Sequence, residues 1–134
     1  MNIKRYWYAV LASFVTMTFV GTVINDIAFD YLMSPTDQTG SVKEFIDMAP
    51  IMMGAYLIIN MIFAYFYVKM RQTGHIKEGI KFGFLFSLII SCMTLVDYSI
   101  FQFEFSSLIS DSILNLITYV TGGIVVSLVY KPAS

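Results

Sequence analysis

The sequence predicts an all-α membrane protein, an antiparallel up-down-up-down bundle of four transmembrane helices. Two observations predict this fold class. Apolar residues make up 57% of the 134 residues and charged residues only 13%, about half the charged fraction that is usual in soluble domains. Four continuously apolar runs are also long enough to cross roughly 30 Å of hydrocarbon, which takes about 20 helical residues. A soluble domain of this size would have too little polar surface to cover such a core.

The first predicted span covers residues 6–25 and begins with the aromatic run YWY, which is typical of a membrane interface. Lys4 and Arg5 stand before this run, as basic residues do in a signal peptide. However, the apolar run is longer than the apolar region of a signal peptide, and it lacks an A-x-A-like cleavage site. We therefore expect a first span that is retained.

The second predicted span covers residues 51–69 and follows an outer loop at 34–48. In this loop "SVKE" has the pattern of a capping box, with Ser41 as the N-cap and Glu44 three residues later. The pattern predicts a short surface helix within the loop. Pro50 is favoured in the first turn of a helix, so it is expected to open the second span.

The third span is predicted at 82–103 and the fourth at 108–130. A short loop at 70–80 precedes the third span, and a turn at 104–107 joins the two. Such short connections favour antiparallel neighbours. The runs are continuously apolar and do not alternate, which indicates helices rather than the strands of a membrane barrel. Residues 1–134 are therefore expected to form a single four-helix transmembrane domain.

Basic residues predict the orientation of the chain. With four spans, both termini lie on one side of the membrane, and all but one of the eight Lys and Arg residues fall on that side. The positive-inside rule then places both termini in the cytoplasm, and we expect the bacterial inner (plasma) membrane. The basic residues on the side of the termini are Lys4, Arg5, Lys69, Arg71, Lys77, Lys81 and Lys131, and the exception is Lys43.

The sequence contains no motif for a common catalytic chemistry. Cys92 and His75 are the only cysteine and the only histidine, so no zinc or haem site is expected within one chain. Asp97 stands in "LVDYS", without the GxGD context of an intramembrane aspartyl protease. There is no P-loop, no dinucleotide fingerprint and no basic face for nucleic acid. We predict a protein that is not an enzyme and has no cofactor, no metal and no nucleic-acid partner.

Small residues on the third and fourth spans predict close helix packing. On the third span they recur every four residues, which forms a small-xxx-small series that lets membrane helices approach closely. On the fourth span a glycine shares one face with polar residues at steps of four and three. The predicted packing residues are Gly79, Gly83, Ser87, Ser91 and Gly122.

Five polar side chains form the predicted ligand site, an acidic vestibule that faces outward. They are Asp97, Asn60, Asp111, Asn115 and Asp26. At 100° per residue, Asp97 falls on the same third of its helix as the small residues. An ionised carboxylate facing lipid costs about 3 kcal/mol or more at the bilayer centre, so Asp97 is expected to point into the bundle and to be the chief ligand.

Each of these residues also has a plainer interpretation. Asp97 can be a hydrated interfacial acid bonded to a neighbouring helix, and Asp26 can simply end the first span at the water boundary. Asp111 lies in the first turns of the fourth span, where an acid complements the helix dipole. Asn60, near the middle of its span, can form a hydrogen bond between helices.

Three stretches carry a resemblance to known proteins: "KRYWYAVLASFV" at the start, "EGIKFGFLFSLI" at the entry to the third span and "TYVTGGIVVSL" near the end. With these stretches the chain resembles small, uncharacterised four-span bacterial membrane proteins that are classed as domains of unknown function. The resemblance implies the four-span topology and implies no activity.

Three functional hypotheses follow from these patterns. In the first, the vestibule binds or conducts a cation or a small polar solute. In the second, the chain is a non-catalytic accessory or scaffold subunit that packs against other membrane proteins through the small residues from Gly79 to Ser91. In the third, the surface helix at 42–48 handles lipid. The expected partners are the lipid bilayer and either a second copy of the chain, in a homo-oligomer, or another membrane protein.

Overall fold

The computed structural model describes residues 2–32, 42–101 and 105–130, and all four elements in these ranges are α-helices. Helix α1 covers Ile3–Leu32, α2 Val42–Met70, α3 Ile76–Phe101 and α4 Phe105–Val129. Each helix is long and apolar enough to cross a membrane. The prediction of four helices that are long and apolar enough to span a membrane is thus confirmed for the described residues, while the side on which the termini lie stays a prediction.

The helices extend beyond the predicted spans at several ends. α1 continues to Leu32, and α2 begins at Val42 and runs through Pro50 as one helix, so residues 42–48, predicted as a short surface helix, are part of α2. Hydropathy detects only the apolar part of a helix, so it does not predict the polar ends. A proline inside a membrane helix is tolerated where other groups form hydrogen bonds with the backbone carbonyl that the proline leaves unpaired. α4 begins at Phe105, inside the predicted turn. The predicted N-cap Ser41 lies outside the described residues.

Helix α1 lies between α2 and α4, and α3 packs mainly on α4. The first and last helices are antiparallel. The backbone N–H of Asn2 donates to the hydroxyl of Tyr130 at 3.0 Å, and Met17, later in α1, packs on Gly122, earlier in α4. α2 is joined to α1 by the hydroxyl of Tyr6, which donates to the carbonyl of Met61 at 3.0 Å. The spatial order of the helices is therefore α2, α1, α4, α3.

Glycines bring the backbones of α3 and α4 into direct contact. Gly79 and Gly83 are buried against α4. A Cβ atom at Gly83 would lie 2.7 Å from the Cα atom of Val120, and one at Gly123 would lie 3.2 Å from the nitrogen of Gly83. Because the obstructing atoms belong to the backbone, no side-chain rotation could relieve these contacts. Only glycine fits at this crossing.

The buried core occupies one half of the molecule, the half that contains the termini. Among the described side chains, the buried ones lie within residues 2–17, 60–87 and 119–130, which we call the termini half. Aromatic rings fill its centre: Phe63 lies 4.9 Å from Phe82 and 5.0 Å from Phe86 between ring centroids, and Phe86 lies 5.2 Å from Tyr119. In the other half, which we call the open half, no described side chain is buried.

The loop between α2 and α3 is held by Glu78. Its carboxylate accepts hydrogen bonds from the backbone N–H and the hydroxyl of Thr73, both at 2.8 Å. It also accepts from the N–H groups of Gly74 at 2.8 Å and Gln72 at 3.3 Å. Gly74 has a φ of 71°, a left-handed conformation that favours glycine. These contacts connect α2 and α3 tightly at the termini half.

Candidate ligand cavity

A cavity of about 390 Å³ lies between α1, α2 and α4 in the open half of the molecule. It begins on the three helices at Met17, Asn60 and Tyr119, the only buried residues of its lining. We call these three residues the cavity floor. The lining continues along α1 to Asp26, nine residues beyond Met17, so the cavity is roughly 14 Å deep at 1.5 Å per residue. No residue of α3 lines it.

The floor lies near the middle of the predicted membrane. Asn60 is close to the centre of the span Ala49–Met70, and Met17 is two residues past the centre of the span Ile3–Ile27. Beyond the floor, toward the termini, the aromatic cluster of Phe63, Phe82, Phe86 and Tyr119 fills the space between the helices. The cavity is therefore closed at its inner end.

Asn60, a residue of the cavity floor, has a buried side-chain oxygen without a hydrogen-bond partner. The residue is only 2% exposed. Its Nδ2 donates to the carbonyl of Tyr56 in the same helix at 2.8 Å, whereas its Oδ1 has no hydrogen-bond partner. A buried polar atom without a partner carries an energetic cost, so its presence asks for an explanation such as a bound ligand. Asn60 bonds within α2 here, and the amide forms no bond to a neighbouring helix.

Thr118 supplies a second unpaired polar atom to the lining. Its Oγ1 is buried and has no hydrogen-bond partner. The hydroxyl lies where α4 approaches α1, because a Cβ atom at Gly21 would be 3.8 Å from it. Unlike the Asn60 Oδ1, a hydroxyl oxygen can both donate and accept. Two residues of the inner lining thus carry buried side-chain oxygens without a hydrogen-bond partner.

The remaining lining is mostly apolar, with polar groups near the mouth. Thioether and aliphatic side chains cover much of the wall, and Tyr56 adds an aromatic ring. Asn25, Asp26 and Asn115 lie at the outer end, where Asn25 and Asp26 are exposed and Asn115 is half-buried. Within the described part of the chain, no lining residue is basic. The apolar wall side chains include Met17, Met52, Met53, Ile59 and Leu114.

The structure brings together three of the five predicted ligand residues. Asn60, Asn115 and Asp26 all line the cavity. Asp97 and Asp111 do not line it, and both are exposed. Asp97 lies four residues before the end of α3, the helix that contributes no residue to the described lining, so its role as the chief ligand stays a prediction.

Several lining residues carried no functional prediction. Met17, Met52, Met53 and Tyr119 line the cavity, although isolated methionines and tyrosines in an apolar run look like ordinary membrane-facing residues. On α1 the sequence did contain a pattern that indicates the lining, because Thr18 and Gly21 share a helical face with Asn25. On α2 the signal was the spacing of Tyr56 and Asn60, four residues apart.

The small residues of α3 are occupied within the chain. Gly79, Gly83 and Ser87 are buried, and both glycines contact α4. This face is therefore covered by the chain's own fourth helix and is not open to a second membrane protein. Gly122 has a related role, since a Cβ atom there would lie 2.8 Å from the Cγ atom of Met17. Ser91, farther along α3, is only half-buried.

No family model, curated protein or solved structure matches the chain. The resemblance to four-span bacterial proteins of unknown function stays a prediction. The functional proposal therefore depends on the geometry and chemistry of the cavity.

Proposed function

We propose that the protein is an integral membrane receptor or carrier for a small molecule, which it binds in the cavity between α1, α2 and α4. The observation that supports this proposal most strongly is the unpaired Oδ1 of Asn60 at the cavity floor. A cavity of about 390 Å³ also falls within the 300–1,000 Å³ that is usual for small-molecule sites. With the termini in the cytoplasm, the ligand enters from outside the cell.

Binding is a better description than conduction for this arrangement of helices. Phe63 and Tyr67 are at most 1% exposed, and Val10 and Val126 are completely buried. These side chains close the path between the cavity floor and the termini side. Release of a ligand on that side requires α2 to separate from α1 and α4, which is a movement of a whole helix.

The proposal is tested by filling the cavity. Thr18 lines it, whereas Val15, one turn earlier on α1, is 64% exposed and lies outside the lining. The protein is purified in mild detergent and its bound molecules are identified by native mass spectrometry. We expect the wild type and Val15→Trp to retain the same small molecule and Thr18→Trp to lose it.

Two results of this experiment would contradict the proposal. Equal ligand retention by Thr18→Trp and Val15→Trp would show that the molecule binds elsewhere. A phospholipid as the molecule displaced by Thr18→Trp would instead favour the lipid-handling hypothesis.

A further inference from the structure

We propose that the ligand is an organic ammonium ion with an apolar body, whose N–H group donates a hydrogen bond to the Oδ1 of Asn60. This inference rests on the proposed function and adds the chemical class of the ligand. Three features of the cavity support it: the acceptors at its inner end, the apolar wall and the charge at its mouth.

The inner end of the cavity requires a hydrogen-bond donor. The amide nitrogen of Asn60 is already bonded to the carbonyl of Tyr56, so the atom left for a ligand is the carbonyl oxygen, which can only accept. The hydroxyl oxygen of Thr118 can serve as a second acceptor. A carboxylate or phosphate ligand would place its own oxygens against Oδ1 without a proton between them. An ammonium group, in contrast, carries the N–H donors that such oxygens accept.

The wall requires that the rest of the ligand be apolar. Met52, Met53 and Leu114 provide thioether and aliphatic surface, and Tyr56 provides an aromatic ring. Such a wall stabilises hydrocarbon, and the face of a tyrosine ring also attracts a cationic group within about 6 Å of its centroid. A body of apolar carbon atoms therefore suits the volume between the floor and the mouth.

A bare metal cation fits this cavity poorly. Calcium takes six to eight oxygen ligands, whereas the inner end of the cavity offers the side-chain oxygens of Asn60 and Thr118. The described part of the chain contains no group of three or more His, Cys, Asp or Glu residues that could hold a metal ion. An organic cation needs fewer oxygen partners because its charge is spread over N–H and neighbouring C–H groups.

The mouth favours a positive charge on the ligand. Asp26 contributes a carboxylate there, and among the side chains that the structure describes none in the lining is basic. A cleft that contains charge of one sign and low-dielectric walls concentrates ions of the opposite sign. A cation is therefore attracted at the mouth. At the floor it reaches hydrogen-bond acceptors.

The test compares two probes of the same shape and opposite charge. The protein is reconstituted in lipid nanodiscs, and the binding of 2-phenylethylammonium and of 3-phenylpropionate is measured by calorimetry. We expect the ammonium probe to bind and the carboxylate probe to show no binding. Loss of one hydrogen bond to a charged donor weakens affinity roughly ten- to a hundredfold, so Asn60→Leu is expected to reduce ammonium affinity by this factor.

A second variant keeps the test decisive if Asn60→Leu folds poorly. Thr118→Val keeps the shape of the side chain and removes the other acceptor, so it is expected to weaken ammonium binding severalfold. Val15→Trp, on the outer face of α1, is the matched control and is expected to bind the probe as the wild type does.

The outcomes separate this inference from the proposed function. Binding of both probes with equal affinity, or of neither, would overturn the assignment of an ammonium ligand. Unchanged ammonium affinity in Asn60→Leu and Thr118→Val would do the same. If Thr18→Trp still lost its co-purified molecule in these cases, the proposed function would stand. If Thr18→Trp bound the ammonium probe normally, both proposals would fail.

Discussion

Asn60 is buried near the middle of a membrane span with its Oδ1 unpaired. Two explanations of this residue make opposite predictions. If the amide holds helices together, replacing it weakens the fold. If the amide is kept for a ligand, the empty protein bears the cost of an unsatisfied carbonyl oxygen, and replacing it relieves that cost. The bond from Nδ2 to Tyr56 stays within α2, which favours the second explanation.

We therefore expect Asn60→Leu to leave the ligand-free protein as stable as the wild type, or more stable by about 1 kcal/mol. Leucine has the same number of side-chain non-hydrogen atoms, branched at the same carbon, and removing an unsatisfied buried polar group is neutral or stabilising. The measurement is thermal unfolding in detergent, followed by circular dichroism. A destabilisation of about 2 kcal/mol or more would identify Asn60 as a packing residue between helices.

The sequence showed that Asn60 and Tyr56 lie on the same face of their helix, because four residues separate them. The exposure of Asp97 did not follow from its position on the helix. Gly79 and Asp97 occupy the same angular position on α3, yet Gly79 is buried and Asp97 is exposed. Helical arithmetic gives the direction of a side chain from its own axis. It does not show how much of that side chain a neighbouring helix covers.

At the scale of the elements, the contact between α3 and α4 is the tightest in the molecule. It depends on Gly79, Gly83 and Gly123, each of which faces backbone atoms of the opposite helix. The recurrence of small residues every four positions predicted this close approach. The sequence did not indicate that the partner is α4 of the same chain, because a small-residue face suits any helix that presents a matching one.

Gly83→Ala is expected to destabilise the protein by about 2–3 kcal/mol. The new Cβ would lie 2.7 Å from the Cα atom of Val120, and overpacking of this kind costs roughly 1–3 kcal/mol when the neighbour cannot rotate away. Gly54 provides the control, since a Cβ atom there would meet nothing within 4 Å. Gly54→Ala is expected to be neutral or to stabilise by up to about 1 kcal/mol.

The measurement for this pair is denaturant-induced unfolding in mixed micelles. Similar midpoints for Gly83→Ala and Gly54→Ala would show that α3 and α4 do not approach as closely as the structure has them.

At the scale of the whole molecule, the buried side chains of the described residues all lie in the termini half. Composition and hydropathy were sufficient to predict four membrane helices. Hydropathy carried no information about which halves of the helices touch, because the apolar residues are similar along their length. Two features decide that arrangement: the backbone contacts at the glycines, and the aromatic cluster around Phe63. The cavity results from the separation of α2 in the open half.

The most direct measurement asks whether water reaches the wall of this cavity at a depth where lipid surrounds the outer face. Tyr56 and Ile58 lie two residues apart on α2, and both are at least 48% exposed, but only Tyr56 lines the cavity. Each is replaced by cysteine in a Cys92→Ser background in lipid nanodiscs, and labelling by a charged maleimide is followed. We predict fast labelling of Tyr56→Cys and almost none of Ile58→Cys. Equal rates at the two positions, or protection of both, would contradict the presence of a water-filled cavity between α1, α2 and α4.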